Sequence, residues 1–306
     1  MTVFNPLAQT RTSVVNTTLP NRAAAPGWVV FITGDDGPVA VAAQFDAFDT
    51  SVVHFVATIP ALGFAKFDCV PCGSVGSVSG CEHAVVDPVQ TNGAATIKSP
   101  ALSLNFSGGL LSGVTQTATS ESIYLTQELM MYVNGVGGAY ILIETGEAEP
   151  LPAPVRVRTI TGPVLTEVVQ EYRPGSGGAS SLQQRFRLYQ FGREQHTIEV
   201  TQMIGTGAGK RQVRELVSRY RAEFGATMLQ TDSTGFEDHE RAADPRGIGA
   251  NYHAMTQRAS LVETTRVNPR QLALLTTHTM GAASLAPGNI EHMLIRRLNT
   301  TDNQGA

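Results

Sequence analysis

Short runs of apolar residues, many of them alternating with polar ones, recur along the chain and stop at turn-forming residues. The run at 28–32 is followed by Gly-Asp-Asp-Gly at 34–37, which predicts a hairpin into a second strand at 39–41. Further strands are predicted at 52–57 and 63–67. The first part of the chain therefore has the pattern of a small β unit.

The strand pattern resumes after a segment at 72–92 that is rich in glycine, serine and valine, and that we interpret as a loop between two units. Alternation is clear at 101–106 and again at 182–189. Strands at this spacing without helices between them are typical of β-sandwiches. We predict an all-β fold with two domains, a small β-sandwich at 1–85 and a large β domain at 86–306.

One segment, at 210–224, fits two structures. Its apolar residues have helical spacing at Val213, Leu216, Val217 and Tyr220. As a strand, it places Leu216, Ser218, Tyr220, Ala222 and Phe224 on one face and Arg219, Arg221 and Glu223 on the other. We favour the strand, because turn residues bound the segment and its neighbours are strands.

Composition and charge narrow the classes of function. The chain of 306 residues is 42% hydrophobic and 16% charged, with a net charge of −4. It has no basic stripe, so we expect no nucleic-acid partner. No apolar run reaches the roughly 18 residues that a membrane span needs, and the first residues do not resemble a signal peptide.

Cys69, Cys72 and Cys81 lie close together, with His83 two residues further on. This spacing admits a zinc site, a loop disulfide or free thiols. Structural zinc sites usually pair two short knuckles and only one is present, so we favour the disulfide or the thiols.

A set of short blocks, spread in order over nearly the whole chain, resembles the C-terminal half of the glycoside hydrolase family 38 α-mannosidases of the lysosomal and Golgi type. The blocks are Val3-Phe4-Asn5-Pro6-Leu7-Ala8, Ile59-Pro60-Ala61-Leu62-Gly63-Phe64, Gly138-Ala139-Tyr140-Ile141-Leu142, Gly162-Pro163-Val164-Leu165-Thr166-Glu167-Val168, Thr231-Asp232-Ser233-Thr234-Gly235-Phe236-Glu237, Gly249-Ala250-Asn251-Tyr252-His253, Gly281-Ala282-Ala283-Ser284-Leu285 and Ile290-Glu291-His292-Met293-Leu294-Ile295-Arg296-Arg297-Leu298. Thr234, His253-Ala254 and Ala282 depart from the family's pattern.

The resemblance implies a large domain of the mutarotase-like β-supersandwich type, and an enzyme that hydrolyses α-linked mannose with retention of configuration. In the family, the nucleophile, the acid/base and the zinc ligands lie in an N-terminal catalytic domain. None of the seven histidines here is followed two positions later by aspartate, so no zinc pair of the family's His-x-Asp type occurs. We therefore expect a chain that is inactive alone and holds no metal, with the catalytic domain and mannose-containing glycans as partners.

The resemblance also implies a lysosomal or other secretory-pathway location for the full-length enzyme. Family members continue beyond the region of residues 302–305, so we expect the large domain to be partial, with a C-terminal stretch missing.

The resemblance implies that three residues match positions at the sugar-binding site of the family. Tyr140 matches a position that contacts the bound sugar, although from the residues alone it is equally a core tyrosine of a strand. Arg296 or Arg297 matches an arginine that pairs with a catalytic-domain carboxylate; the other reading is a surface pair at an edge strand. Adjacent residues in a strand point to opposite faces, so only one arginine can take this role.

Weaker candidates shape loops at the interface with the catalytic domain: Asp232, Asn251 and Tyr252. The carboxylates at 237–240 admit an acid/base pair, but a solvated turn after Gly235 is the favoured interpretation.

Two other functions remain open. A free-standing carbohydrate-binding β-sandwich module is one, although aromatic residues make up only 7% of the chain, with one tryptophan. A mutarotase-like or lyase-like enzyme is the other, but no histidine–glutamate pair stands out in the sequence.

Overall fold

The computed structural model describes residues 1–19, 28–34, 37–49, 51–71, 85–86, 93–133, 142–144, 146–176, 179–205, 214–265, 267 and 269–296. Within these ranges the chain is built from β-strands, with single 3-10 turns at Arg193–His196 and Gly249–Asn251 and no α-helix. The predicted all-β fold is confirmed.

The N-terminal strands form two sheets. They are β1 (Thr2–Phe4), β2 (Arg11–Thr18), β3 (Trp28–Gly34), β4 (Gly37–Val41), β5 (Ala43–Phe45), β6 (Val52–Ile59) and β7 (Phe64–Pro71). One sheet has the order β1-β7-β3-β4 and the other β2-β6-β5. Gly34 pairs with Gly37, so the predicted hairpin is confirmed. The sheets enclose a core that includes Val30, Phe55 and Phe67, which makes this unit a small β-sandwich.

The remaining strands form three sheets. They are β8 (Val85–Val86), β9 (Ala95–Lys98), β10 (Leu102–Ser107), β11 (Leu110–Gln116), β12 (Ser122–Ile123), β13 (Leu125–Val133), β14 (Glu149–Pro150), β15 (Arg156–Thr161), β16 (Leu165–Glu171), β17 (Ser181–Tyr189), β18 (Glu199–Gly205), β19 (Arg214–Ala222), β20 (Thr227–Asp232), β21 (Asp238–Arg241), β22 (His253–Met255), β23 (Arg258–Glu263), β24 (Gln271–Leu275), β25 (Met280–Ala283) and β26 (Asn289–Ile295). The ten-stranded sheet follows β22-β25-β26-β19-β13-β11-β10-β9, with β12 and β14 at its sides. The others are β18-β17-β16-β15-β8 and β21-β20-β23-β24.

The three sheets of this large sandwich share one apolar core. Leu104, Phe186, Ile290 and Leu261 come from different parts of it and are fully buried. Phe106 meets Phe186 edge to face, with ring centroids 5.2 Å apart. Burial of these large side chains supplies the main force that holds the sheets together.

A ladder of glutamines also crosses the interior between the ten- and five-stranded sheets. Gln127 and Gln184 exchange hydrogen bonds of 3.2 and 2.7 Å between their amides. Gln184 also donates to Gln170 at 2.8 Å, and Gln127 donates to Ser218 at 2.9 Å. Because each buried amide has partners, the ladder avoids the cost of unpaired polar groups and fixes how the two sheets face each other.

The ambiguous segment is a strand, since β19 lies between β13 and β26. The predicted apolar face is buried at Leu216, Ser218 and Tyr220. On the opposite face, which carries Arg219 and Arg221, Glu215 and Val217 are buried as well. Other residues therefore cover that face, and Phe224 lies beyond the end of the strand.

The small sandwich docks on the outer face of the five-stranded sheet through buried polar groups. Gln44 Oε1 accepts the backbone N–H groups of Val164 and Leu165 at 3.1 and 3.0 Å. A Cβ at Gly162 would meet the Gln44 side chain at 2.2 Å, so a larger residue there would have to displace the Gln44 amide from these hydrogen bonds.

Next to this contact lies the Asp46 cluster, which we define as Asp46, Arg185, Arg187 and Glu167. Arg185 and Arg187 donate to Asp46 Oδ2 at 3.0 and 2.9 Å, and Arg187 donates to Glu167 at 2.7 Å. Burial raises the pKa of Asp46, but His54, the N–H of Phe48 and Arg185 outweigh it, so the pKa lies well below its usual value. A largely buried ionic network thus joins the two sandwiches.

Most of the segment at 72–92 lies outside the described residues, and with it Cys72, Cys81 and His83. The loop prediction is wrong at 85–86, which form β8 and pair with β15 in the five-stranded sheet. Cys69 is a half-buried free thiol, and burial raises its pKa. The domain boundary at 85/86 stays a prediction.

Candidate functional site

The outer face of the ten-stranded sheet, which faces away from the core, gathers an unusual set of polar side chains. Alternation along β13, β19 and β26 places Tyr132, Arg219 and Glu291 on this face, while Leu129, Tyr220 and Ile290 point to the interior. Arg219 lies directly opposite Glu291 in the register. The apolar residues around them are Met130, Val217 and Met293.

Glu291 is the centre of this set. Its Oε1 accepts the hydroxyls of Tyr132, at 2.7 Å, and of Tyr252. Its Oε2 accepts Arg219 Nε at 2.5 Å, and Arg219 Nη2 donates to the Tyr132 hydroxyl at 3.2 Å. We call Tyr132, Arg219, Tyr252 and Glu291 the Glu291 cluster. Three donors converge on one buried carboxylate, which fixes the position of all four side chains.

The electrostatics of the cluster favour neutral phenols and a charged ion pair. Burial, reinforced by Glu291, raises the pKa of Tyr132 and of Tyr252 above the usual value. Burial lowers the pKa of Arg219, but Glu291 more than compensates, so the guanidinium stays charged. The phenols therefore act here as hydrogen-bond donors rather than as bases.

A second ion pair lies further along the same face. Arg296, just after β26, donates from Nε to Glu215 Oε1 at 3.0 Å. Glu215 is buried, whereas about a third of the Arg296 side chain is exposed, at 31%. Of the two arginines named from the sequence, Arg296 is thus held by a carboxylate of this chain, and Arg297 lies outside the described residues.

Asn251 and Tyr252 connect the cluster to a loop. The Asn251 amide donates to the carbonyl oxygens of Asp244 and Gly247 at 2.9 and 2.8 Å, and its Oδ1 accepts the N–H of Asp244. A Cβ at Gly249 would lie 2.4 Å from the carbonyl oxygen of Leu142, so only glycine permits this packing.

The loop is thereby held against the residues that follow Tyr140. Tyr140 itself lies outside the described residues, and its role stays a prediction.

Asp232 is placed elsewhere. Its carboxylate accepts the backbone N–H groups of Thr256, Gln257 and Arg258 at 2.8 to 3.1 Å, which closes the turn between β22 and β23. These N–H groups outweigh the effect of burial and lower the pKa of Asp232. The structure thus places Tyr252 and Arg296 on one sheet face, and Asn251 holds the loop that carries Tyr252. Asp232 lies apart from them, in the turn between β22 and β23.

The carboxylates at 237–240 do not form the predicted turn alone, because Asp238–Arg241 make the edge strand β21. Asp238 is engaged by Arg258 of β23, and Glu237 and Glu240 are exposed. No contact joins them to the Glu291 cluster among the hydrogen bonds and ion pairs of the described residues.

Sequence reasoning missed Tyr132, Arg219, Glu215 and Glu291 as site residues. A signal was present: Glu215 and Glu291 each lie beside apolar residues in a strand, where an unpaired carboxylate would be costly. Only the pairing of β13, β19 and β26 shows that hydrogen-bond donors lie close to these two carboxylates.

In the part of the chain that the structure describes, no group of three or more His, Cys, Asp or Glu side chains could hold a metal ion. These residues therefore do not fit a zinc ion, and no step of chemistry is assigned to one here. The described residues also contain no helix long and apolar enough to cross a membrane.

Two open clefts lie away from the Glu291 cluster. One, of about 320 Å³, is lined by Leu7, Arg11, Gly192 and Arg193 among others. The second, of about 870 Å³, includes Lys98, Gln190 and Phe191. Neither contains a residue of the Glu291 cluster.

Comparison with known proteins decides the family. The sequence profile of the glycosyl hydrolases family 38 C-terminal domain matches residues 97–304, about two thirds of the chain. The chain belongs to glycosyl hydrolase family 38. The resemblance in the sequence blocks is thus confirmed, and the strands of the Glu291 cluster all fall inside the matched C-terminal domain.

Relatives of this chain are named α-mannosidases. "Alpha-mannosidase 2" of Arabidopsis thaliana is 25% identical and aligns with 99% of this chain. "Alpha-mannosidase 2" of Mus musculus is 26% identical over 100% of it, and "Lysosomal alpha-mannosidase" of Cavia porcellus 25% identical over 99%. The chain spans only 28% of the first two relatives and 30% of the third.

Among solved structures, an α-mannosidase from Enterococcus faecalis V583 aligns with 96% of this chain and 39% of its own. The identity is 12% and the TM-score 0.45, a similarity too low to support an argument about function.

Proposed function

We propose that this chain is the β-rich C-terminal portion of an enzyme that hydrolyses α-linked mannose from glycans, and that it completes the active site but is inactive alone. The observation that carries the proposal is the match of residues 97–304 to the family 38 C-terminal domain. The α-mannosidase relatives are more than three times as long, which leaves room for a catalytic part beyond the region this chain covers.

In this proposal the catalytic groups belong to the rest of the longer enzyme, in an N-terminal catalytic domain. Retention of configuration needs a carboxylate nucleophile on one side of the sugar and an acid/base carboxyl on the other. A zinc ion in that domain would bind sugar hydroxyls through its open positions. The isolated chain is then expected to hydrolyse no mannoside.

The outer face of the ten-stranded sheet is the surface we assign to contact with that domain. The hydrogen bonds of the Glu291 cluster fix the side chains on this surface and pair their charges. Arg296 lies beside the cluster and is partly exposed. Tyr140 is assigned to the sugar, through its ring and hydroxyl. Arg296 or Arg297 is assigned to a carboxylate of the catalytic domain, for which the guanidinium fork is suited.

For the location of the full-length enzyme we propose the lysosome or another compartment of the secretory pathway. The support is that relatives from Cavia porcellus and Dictyostelium discoideum are named lysosomal α-mannosidases.

The test is a chimera in which this chain replaces the aligned segment of the Arabidopsis relative. We expect the chimera to release mannose from an aryl α-mannoside, with activity lost on chelation and restored by Zn²⁺, while the isolated chain has no activity. The relative without its C-terminal segment serves as the control. A folded chimera with no activity, or an active isolated chain, would contradict the proposal.

Single changes in the chimera separate the two arginines. Arg296→Lys and Arg297→Lys keep the charge but lose the planar fork, so the arginine that pairs with the catalytic domain should lower kcat/KM about tenfold or more. The other substitution should leave kcat/KM nearly unchanged. Tyr140→Phe should raise KM, because it removes a hydroxyl that binds sugar.

The second candidate is a free-standing carbohydrate-binding module, favoured by the cleft that combines Phe191 with Lys98 and Gln190. An exposed aromatic ring beside polar groups suits a sugar face. Calorimetric titration of the isolated chain with mannose oligosaccharides decides between the two. Millimolar or tighter binding that Phe191→Ala abolishes would favour the module.

A further inference from the structure

The small sandwich carries a patch of large apolar side chains that are exposed among the described residues. Its members, which we call the Phe64 patch, are Phe4, Leu7, Leu62 and Phe64, exposed by 62%, 41%, 66% and 70%. Single exposed apolar residues are normal on protein surfaces, whereas contiguous groups mark interaction sites.

The four residues are contiguous. Phe4 and Phe64 are directly opposite each other in the antiparallel pair of β1 and β7. The N–H of Leu62 donates to the carbonyl oxygen of Leu7 at 2.8 Å, and the N–H of Asn5 donates to Gly63 at 2.8 Å. The patch therefore spans the edge strand β1 and the turn before β7.

A buried asparagine holds the patch rigid. Asn5 Nδ2 donates to the carbonyl oxygens of Gln9, Ile59 and Pro60, at 2.8, 3.3 and 2.9 Å, and Oδ1 accepts the N–H of Leu7 at 3.1 Å. The segment with Phe4 and Leu7 is thus fixed to the turn with Leu62. A backbone segment that is already fixed in position loses little entropy on binding, which favours tight docking.

Leu62 is held in an unfavourable backbone conformation. Its φ is +50°, in the left-handed region where glycine and asparagine are preferred. For a leucine this costs about 1 kcal/mol or more, yet about two thirds of the side chain is exposed in the part of the chain that the structure describes. A large apolar residue at such a position is understandable if another surface covers it.

The patch also borders an opening. Leu7 lines the cleft between the N-terminal segment and residues 192–193 of the large sandwich, together with Arg11. A partner seated on the patch would thus reach the junction of the two sandwiches, with charged groups at the rim and apolar residues at the centre, as in stable interfaces.

We propose that the Phe64 patch is a docking surface for the catalytic part of the longer enzyme, separate from the outer face of the ten-stranded sheet. This inference rests on the proposed function. The occupant is argued from length, because the relatives carry about 70% of their sequence outside the region that this chain covers.

The experiment is hydroxyl-radical footprinting of the isolated chain and of the chimera. Phe4, Leu62 and Phe64 should be labelled roughly fivefold more slowly in the chimera, because docking removes their accessible surface. Leu275, which is 72% exposed on β24, is the control and should be labelled equally in both. Equal labelling of the patch in an active chimera would overturn this inference and leave the proposed function standing.

Leu62→Gly separates docking from folding. Glycine accepts φ +50° without strain, so the isolated variant should be at least as stable to heat as the parent. In the chimera the same change, alone or with Phe64→Thr, should remove the labelling protection and lower the midpoint of thermal unfolding. Leu275→Thr should do neither. A chimera whose stability and labelling are unaffected by both patch changes would refute the proposal.

A second copy of this chain is the competing occupant. Sedimentation of the isolated chain is expected to show a monomer. A dimer that Leu62→Gly or Phe64→Thr dissociates would assign the patch to self-association instead and overturn the inference, whether or not the chimera folds.

Discussion

The two main sheets of the large sandwich carry similar ionic clusters on their outer faces, yet the clusters are covered in different ways. The Asp46 cluster on the five-stranded sheet is covered by the small sandwich, which itself supplies Asp46. The Glu291 cluster on the ten-stranded sheet is covered by a loop of the same domain, which contributes Tyr252. Further along this face, the Arg296 side chain is partly exposed to solvent.

The difference shows what a charged outer face means in this fold. On the five-stranded sheet, alternating arginines in β17 are the binding surface for another folded unit rather than a solvated surface. The ten-stranded sheet repeats this chemistry, but part of its outer face remains accessible at Arg296, whose side chain is 31% exposed. This parallel supports the assignment of that face to a domain outside the described chain.

The largest expected effect comes from Asp46→Asn. Arg185 then keeps no charged partner among its observed hydrogen bonds, and we expect a loss of about 3–4 kcal/mol in the free energy of unfolding. Urea denaturation measures it. Arg246→Ala, which removes an exposed ion pair with Asp244, is the control and should have little effect. A small effect of Asp46→Asn would mean that the two sandwiches are not coupled by this cluster.

The next effect is that of Glu291→Gln, which we expect to cost about 2–3 kcal/mol, because the Arg219 side chain, only 13% exposed, then keeps no charged acceptor among its observed hydrogen bonds. The cost should be lower than for Asp46→Asn, since Tyr132 still contacts the guanidinium and no docking between units is lost. If Glu291→Gln proves the more damaging, the comparison between the clusters must be reversed.

The pH dependence of the free energy of unfolding distinguishes the two ionic clusters from the core between the sheets, where His292 lies. Burial lowers the pKa of His292, on the inner face of β26, from 6.5 to about 4. The unfolded chain therefore binds a proton that the folded chain rejects, so this stability is present above pH 6.5 and is lost as the pH falls towards 4.

Between pH 7 and pH 5 we expect a loss of about 2 kcal/mol, which His292→Phe should largely abolish. The Asp46 contribution has the same sign but acts in more acid solution, because its lowered pKa makes it present above its unfolded value of 3.8 and lost below. Denaturation curves at several pH values check both. An unchanged slope in His292→Phe would contradict the assignment to the core.

The smallest effect is that of Tyr252→Phe. It removes one of three donors to Glu291 and should cost about 1 kcal/mol. In the chimera it should also raise the KM for mannosides more than that of a Tyr124→Phe control, an exposed tyrosine, since Tyr252 anchors the loop packed against residue 142. Equal KM values would mean that the cluster only stabilises the sheet.

Strand positions could be predicted from the sequence because a half-buried strand needs alternation and turns need glycine, proline or aspartate. The hairpin at Gly34 and Gly37 and the choice of strand for β19 follow from these local rules. The exposure of polar residues could not be predicted in the same way. Arg185 and Arg187 have the pattern of a solvated face, but their side chains are only 10% and 12% exposed at the docking surface.

The candidate site was predicted only in part. Tyr252 and Arg296 were named from the resemblance and do lie on one sheet face, but their partners Glu291 and Glu215 were not named. The reason is distance along the chain: Glu291 meets Tyr132 across 159 positions. A local pattern carries no information about such a pair.

The sequence by itself determined the all-β class, the strands and the family, since these depend on local alternation and on short blocks of residues. The tertiary structure alone decided which polar side chains are buried together and which apolar ones stay uncovered. Burial depends on what packs over a strand, and here the covering groups come from distant segments: Asp46 over Arg185, and Tyr252 over Glu291. Phe4 and Phe64 lie in strands like the core residues and differ from them only in having nothing above them among the described residues.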